Sequence, residues 1–216
     1  MHLSEAVLSG SIDGKLVLVA GAALAAAGTA VGLRKTDYQR LPQVAVLSSA
    51  FFVVSAVQIP GPIAVHLVLS GLLGLILGWA AFPAVLVAIT LQAVLWQVGG
   101  LTAVGINTVV MALPAVVCYY LFGRAVRVPS QKGAFAAGVA AGATGVVLGI
   151  LLAAGSLLAA GEGYRVLSGL TVLEHLPVVA IDGLVTGSAV VFLRRVRPEL
   201  LEAPLLPPAG VEVPGA

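Results

Sequence analysis

Charged residues are scarce in this sequence of 216 residues. They make up 9% of the chain, eleven basic and nine acidic side chains, whereas hydrophobic residues make up 60%. A soluble globular domain carries about 25% charged residues, so this chain has too little charge to cover a water-exposed surface. Its composition is that of an integral membrane protein. The small net charge of +2 also gives no basic surface for nucleic acid.

Cysteine and nucleotide-binding motifs are scarce as well. The single cysteine, Cys118, excludes an intrachain disulfide and a cysteine metal cage. Residues 10–15 come nearest to an ATP-binding loop, but only three residues separate their glycines, and Leu16 stands where Ser or Thr is required. The chain is therefore predicted not to hydrolyse nucleotide.

Charge, proline and glycine clusters divide the chain into seven long apolar runs. A bilayer core of roughly 30 Å requires about 20 mostly apolar residues per helix. The runs lie approximately at residues 15–33, 44–58, 63–77, 82–96, 106–122, 134–160 and 166–192. They predict an all-α fold, a polytopic membrane helix bundle of about seven transmembrane helices. In the sixth run, the spacings Gly138-x-x-x-Gly142 and Gly145-x-x-x-Gly149 favour close helix packing.

The basic residues fall mainly on one side of the membrane when the loops between these runs alternate. Lys15 and Arg165 fall on one side. The opposite side receives Arg34, Lys35, Arg40, Arg124, Arg127, Lys132, Arg194, Arg195 and Arg197. The positive-inside rule then predicts a multi-pass protein of the cell membrane with an outer N-terminus and a cytoplasmic C-terminus. Residues 1–14 lack the basic region of a cleavable signal peptide, so Met1 is expected to be the first residue.

Two stretches are predicted to depart from regular transmembrane helix. Residues 198–216 hold five prolines and are expected to form a disordered cytoplasmic tail, after a single transmembrane domain at residues 1–197. Residues 97–105 read QVGGLTAVG, and their three glycines argue against a continuous helix. We expect a re-entrant loop on the outer side, beside a cavity that satisfies its backbone groups.

Three histidines, His2, His66 and His175, are the most informative polar residues. By the predicted topology, His2 lies at the outer N-terminus and His66 one turn inside the third span, so both can lie at the same depth. A terminal amine, the His2 amide and its imidazole can chelate one divalent ion, and a second imidazole such as His66 would complete a planar nitrogen set. Such a set favours Ni²⁺ or Cu²⁺, and Co²⁺ can use the same nitrogens in a different geometry, whereas Mg²⁺ and Ca²⁺ prefer oxygen. Binding should weaken in acid, where these nitrogens are protonated.

More ordinary interpretations of the same residues stay open. A histidine in an apolar helix is often a hydrogen-bonded polar residue, and His2 could be exposed on a frayed terminus. In the seventh run, His175 and Asp182 are seven residues apart and share one helix face. They either line a polar cavity or form a strut between helices, and the strut is the favoured interpretation.

Four segments resemble a known family of membrane proteins. They are MHLSEAVLSG at residues 1–10, VHLVLSGLLGLILG at 65–78, LQAVLWQVGGLTAVGINTVVM at 91–111 and HLPVVAIDGLVTG at 175–187. They resemble the CbiM/NikM family, the membrane-embedded substrate-capture components of energy-coupling factor transporters for cobalt and nickel. The Met-His start and the GGLT-x-x-G-x-N block are the most specific parts of the resemblance.

The resemblance implies a set of site residues. Met1 and His2 would bind the metal through the amine, the amide and the imidazole, and His66 would complete the site. Gln97, Thr102 and Asn107 would wall the cavity. From their shared helix face, and not from the resemblance, His175 and Asp182 are added as further lining or supporting residues.

The resemblance also implies a transporter subunit without its own ATPase, so the chain is expected not to be an enzyme. It would carry Co²⁺ or Ni²⁺ as its substrate without a cofactor. Its partners would be a transmembrane coupling protein, cytoplasmic ATPases and, in many members, a small accessory membrane subunit. The alternative is an intramembrane metal-dependent hydrolase with His66 and His175 as ligands and Glu174 or Asp182 as general base. That alternative lacks an HExxH motif.

Overall fold

The computed structural model describes residues 2–36, 41–56, 58–59 and 65–201. Over these residues the fold is helical, as predicted, apart from one antiparallel ladder of two residues per strand, β1 (Gln58–Ile59) and β2 (Val65–His66). The helices are α1 (Glu5–Leu8), α2 (Ile12–Lys35), α3 (Leu41–Ala56), α4 (Ser70–Leu77), α5 (Ala81–Trp96), α6 (Val104–Phe122), α7 (Gln131–Ala160) and α8 (Arg165–Val196). The predicted ligand Met1 lies outside the described residues.

Five stretches within the described ranges are long and apolar enough to cross a membrane. They are Ile12–Lys35, Ser70–Trp96, Val104–Phe122, Gln131–Ala160 and Glu162–Val196. The apolar segment Leu41–Ser55 is shorter. The prediction of a membrane helix bundle is therefore confirmed.

The predicted third span differs from the observed one. Residues 63–77 are predicted as one transmembrane helix, but α4 begins only at Ser70. The reason lies in the residues before it: β2 is extended and pairs with β1, and Leu69 has a φ of 50°, outside the right-handed helical region. Asp182 of α8 accepts the Leu69 N–H at 3.0 Å and so replaces a helical partner. His66 therefore lies on an extended segment, and not one turn inside a helix.

The predicted close packing through small residues is confirmed. A Cβ atom built on Gly138 would lie 2.8 Å from the Cα of Gly187 in α8, and one built on Gly145 would lie 2.7 Å from the backbone nitrogen of Gly71 in α4. Only glycine lets these backbones approach so closely. The helix α7 thus packs closely against both α8 and the half-length α4.

The two ends of the bundle differ in charge. At one end, Arg194 of α8 donates to the Ser130 carbonyl before α7, Arg127 donates to the Leu201 carbonyl, and Lys35 lies 4.9 Å from the centre of the Trp79 ring. Lys15 and Arg165 lie at the opposite end, at the starts of α2 and α8. The predicted alternation of the loops requires the basic residues to be divided between the two ends of the bundle in this way.

The chain does not leave the bundle at residue 198. Pro198–Leu201 form a short 3-10 helix, and Leu201 is buried. Leu200 and Leu201 of the predicted tail therefore pack against the bundle, and residues 202–216 lie outside the described residues.

Candidate metal site

The N-terminal segment folds back into the helix bundle. Leu3 and Leu8 are buried in the hydrophobic core. The Glu5 N–H donates to the Gly99 carbonyl at 2.6 Å, and the Tyr164 hydroxyl donates to the Val7 carbonyl at 2.7 Å. These bonds fix the segment between the α5–α6 loop and the α7–α8 turn.

This fold brings the predicted ligands His2 and His66 together. The His2 Nδ1 lies 3.1 Å from the His66 Nε2, and the ring centroids are 4.9 Å apart. His66 is only 1% exposed, whereas part of His2 is accessible. Desolvation nevertheless lowers the pKa of His2 to about 3, so its imidazole is neutral and can donate a lone pair to a cation.

A third polar side chain at this site is not among the predicted residues. Gln92 of α5 is 1% exposed, and its Oε1 lies 2.8 Å from the His2 Nε2. Its amide nitrogen donates to the Ser55 hydroxyl oxygen in α3. The signal in the sequence is a lone glutamine inside the apolar run 82–96, where an unpaired amide would be costly.

Asn107 holds the backbone next to His2. Its Oδ1 accepts the Leu3 N–H at 2.7 Å, and its Nδ2 donates to the Leu3 carbonyl at 3.0 Å. Gly99 adjoins this clamp with a φ of 77°, and a Cβ there would lie 2.9 Å from the Asn107 Nδ2. The left-handed backbone and the close approach both require glycine.

Gln97 and Thr102 lie at the rim of the site. Gln97 is exposed and lines a surface groove of about 640 Å³ together with Glu5. The Thr102 side chain is exposed, and its backbone N–H donates to the Glu5 carboxylate at 3.0 Å. The α5–α6 loop therefore holds the N-terminal segment through Glu5. The buried side-chain amide that contacts the His2 ring belongs to Gln92 and not to the predicted Gln97.

His175 and Asp182 are both buried on α8. The His175 Nδ1 donates to the Thr171 carbonyl at 2.8 Å, within the same helix. Asp182 ties α8 to the segment that leads from His66 into α4, through the bond to Leu69. Asp182 thus links α8 to a neighbouring segment, as expected for a strut.

Replacing Asn107 with alanine is expected to loosen the N-terminal segment. The change leaves the Leu3 N–H and carbonyl unpaired, and an unsatisfied buried group costs about 1–3 kcal/mol. Hydrogen exchange followed by mass spectrometry should therefore show faster exchange at residues 2–8. Thr102→Ala removes an exposed hydroxyl from the neighbouring loop and should leave this exchange unchanged. Equal protection in Asn107→Ala and the parent would show that Asn107 does not hold the segment.

Solved structures share this fold. One, a crystal structure of a transition metal transporter, superposes with a TM-score of 0.70 and covers 91% of this chain and 93% of its own, at 21% sequence identity. A truncated transition metal transporter superposes with a TM-score of 0.68. At this identity the likeness establishes the fold alone.

Sequence comparison gives the family. The model of the CbiM family, described as "Cobalt uptake substrate-specific transmembrane region", matches residues 2–200. A Haemophilus influenzae protein named "Putative metal transport protein" is 41% identical over 93% of this chain and 97% of its own length. A Rhodobacter capsulatus fused nickel transport protein, NikMN, is 34% identical over 84% of this chain, which spans 59% of that longer protein. The chain is a membrane protein of the CbiM family.

Proposed function

We propose that this chain is the substrate-binding membrane subunit of an ATP-driven energy-coupling factor importer for Co²⁺ or Ni²⁺. It captures the ion at the outer side through Met1, His2 and His66. The observation that carries this proposal is the pair of imidazole nitrogens, 3.1 Å apart in a packed site.

The spacing of the two nitrogens suits adjacent positions on one metal ion. Imidazole nitrogens bind Zn²⁺ at about 2.0–2.1 Å, and two of them at right angles on such an ion lie about 2.9 Å apart. The observed 3.1 Å needs only a small adjustment to reach this value. Nitrogen donors favour late transition metals over Mg²⁺ and Ca²⁺.

The remaining ligands come from the start of the chain. The amine of Met1 and the amide of His2 adjoin the His2 imidazole, so these three nitrogens can form fused chelate rings around one ion. Asn107, Glu5 and Tyr164 hold the following residues in place. Because the segment is ordered before the ion arrives, binding costs less conformational entropy.

The transport role needs partners. The sequence contains no complete ATP-binding loop, so cytoplasmic ATPases would supply the energy through a transmembrane coupling protein, with a small accessory membrane subunit as a further partner. The end that carries the histidines would face outward, and the end rich in arginine would face the cytoplasm. Relatives named for cobalt or nickel transport support this assignment.

The hydrolase alternative fits the described contacts less well. A general base needs an accessible carboxylate beside an activated water. Asp182 is fully buried and bonded to the Leu69 N–H.

Metal binding by the purified full chain in detergent tests the proposal. We expect about one Co²⁺ or Ni²⁺ per chain, and no displacement by a large excess of Mg²⁺. A variant with one alanine added before Met1 should bind at least about tenfold more weakly, because the amine then lies one residue too far from the His2 ring. A matched variant with one alanine added after Ala216 is the control for the effect of adding a residue, and it should bind like the parent. Normal binding by the N-terminally extended variant would show that the amine is not a ligand.

A further inference from the structure

We infer that a chain of hydrogen bonds starting at the Phe51 carbonyl determines which nitrogen of His2 carries the proton, so that Ser55 and Gln92 are positioning residues for the metal site. This inference rests on the proposed function for its purpose, but it concerns the protein without metal.

The direction of the first bond is set by the backbone. The Ser55 hydroxyl lies 2.5 Å from the Phe51 carbonyl oxygen. A carbonyl only accepts, so the single proton of Ser55 points to Phe51. The Ser55 oxygen can then act only as an acceptor towards its other neighbour.

That neighbour is the side-chain amide of Gln92. Its NH₂ group must face Ser55, because a carbonyl oxygen there would meet a hydroxyl whose proton is already committed. The Oε1 of Gln92 is thereby directed at the His2 Nε2, 2.8 Å away. An amide oxygen accepts, so the His2 Nε2 must carry the proton. A neutral imidazole has one N–H, and the lone pair is left on Nδ1.

A second carbonyl sets the partner ring in the same way. The His66 Nδ1 lies 2.9 Å from the Leu67 carbonyl oxygen and must donate to it. The lone pair of His66 is then on Nε2, which faces the His2 Nδ1 at 3.1 Å. Two lone pairs therefore point at each other. A cation between the rings would bind both nitrogens at once.

The alternative tautomer of His2 would hinder metal binding. With the proton on Nδ1, His2 could donate to the His66 Nε2, and the two rings would pair with each other. A metal would then have to displace this proton. By holding the proton on Nε2, Gln92 keeps the two rings from pairing and so favours the ion.

Nitrogen NMR of the metal-free chain tests this mechanism. With ¹⁵N-labelled histidine the protein has only three imidazoles, and two-bond ¹H–¹⁵N correlations report which nitrogen carries the proton. We expect the Nε2–H tautomer for His2 in the parent. Gln92→Met keeps the length of the side chain but removes the acceptor, and it should shift His2 towards Nδ1–H. Thr90→Val is the matched control on α5, since the Thr90 hydroxyl donates only within its own helix, to the Leu86 carbonyl.

Metal affinity gives the second measurement. We expect Co²⁺ binding to weaken about 10–100-fold in Gln92→Met, the usual cost of removing a group that orients a metal ligand. Thr90→Val should stay within a few-fold of the parent. The inference is overturned if the parent shows Nδ1–H at His2, or if Gln92→Met keeps the tautomer of the parent. If parent and variants show the expected tautomers but the parent does not bind Co²⁺, the proposed function is refuted and the hydrogen-bond chain is still supported.

Discussion

Replacing His2 with alanine is expected to be one of the two single changes that weaken Co²⁺ and Ni²⁺ binding most. The variant loses an imidazole that faces His66 at 3.1 Å. Removing a group that only supports a metal ligand costs about 10–100-fold in affinity, so loss of the ligand itself should exceed about a hundredfold. Isothermal titration calorimetry of the detergent-purified chain measures this change directly.

His66→Ala should produce a loss of similar size, because both rings would hold the same ion. For that reason the double variant should bind little worse than either single variant, since residues that share one ligand are not additive. Ser4→Ala, an exposed residue of the same N-terminal segment, is the matched control and should bind like the parent. If His66→Ala binds with the affinity of the parent, the two imidazoles do not form one site.

The second large effect is expected at the contact between α7 and α8. A Cβ atom at Gly142 would lie 2.6 Å from the Asp182 carbonyl oxygen and 2.7 Å from the Thr186 hydroxyl. Backbone cannot move aside as a flexible side chain can, so Gly142→Ala should cost about 1–3 kcal/mol of stability. Because Asp182 also holds Leu69, the displacement should reach the segment that carries His66 and weaken metal binding.

Gly155 offers a matched control in the same helix. A Cβ atom there would meet nothing within 4 Å, so Gly155→Ala should be neutral or slightly stabilising, because alanine is the better helix former. Thermal unfolding of the two variants in the same detergent compares them. Equal melting temperatures for Gly142→Ala and Gly155→Ala would show that α7 and α8 do not need glycine at their contact.

The architecture is largely predictable from local sequence. Hydropathy depends on the composition of each run, so the apolar stretches in α2, α6, α7 and α8 are evident without any knowledge of their neighbours. The glycine spacing in α7 likewise indicates a close helix contact before the partner helix is known. The prediction of one helix over residues 63–77 is wrong because apolar composition does not distinguish a buried extended segment from a helix. The residues around His66 are both apolar and non-helical.

The candidate site divides in the same way. His2 and His66 can be proposed as ligands from residue type, position in the chain and family resemblance. Gln92 cannot, because its role depends on contacts with Ser55, 37 residues away, and with His2, 90 residues away. The family resemblance predicts that Asn107 walls the cavity, but only the folded chain shows that both ends of its amide bind Leu3.

By itself, the sequence determined that this protein belongs in a membrane, how most of its chain forms helices and which nitrogen donors it offers. Those properties follow from side-chain chemistry summed over short stretches. Tertiary structure alone decided that the Asn107 amide binds both polar groups of the Leu3 backbone, that His66 lies on an extended segment and that Gln92 contacts His2. These three features depend on how helices that are distant in the sequence pack together. The direction of a hydrogen bond is defined only when its donor and acceptor are in contact.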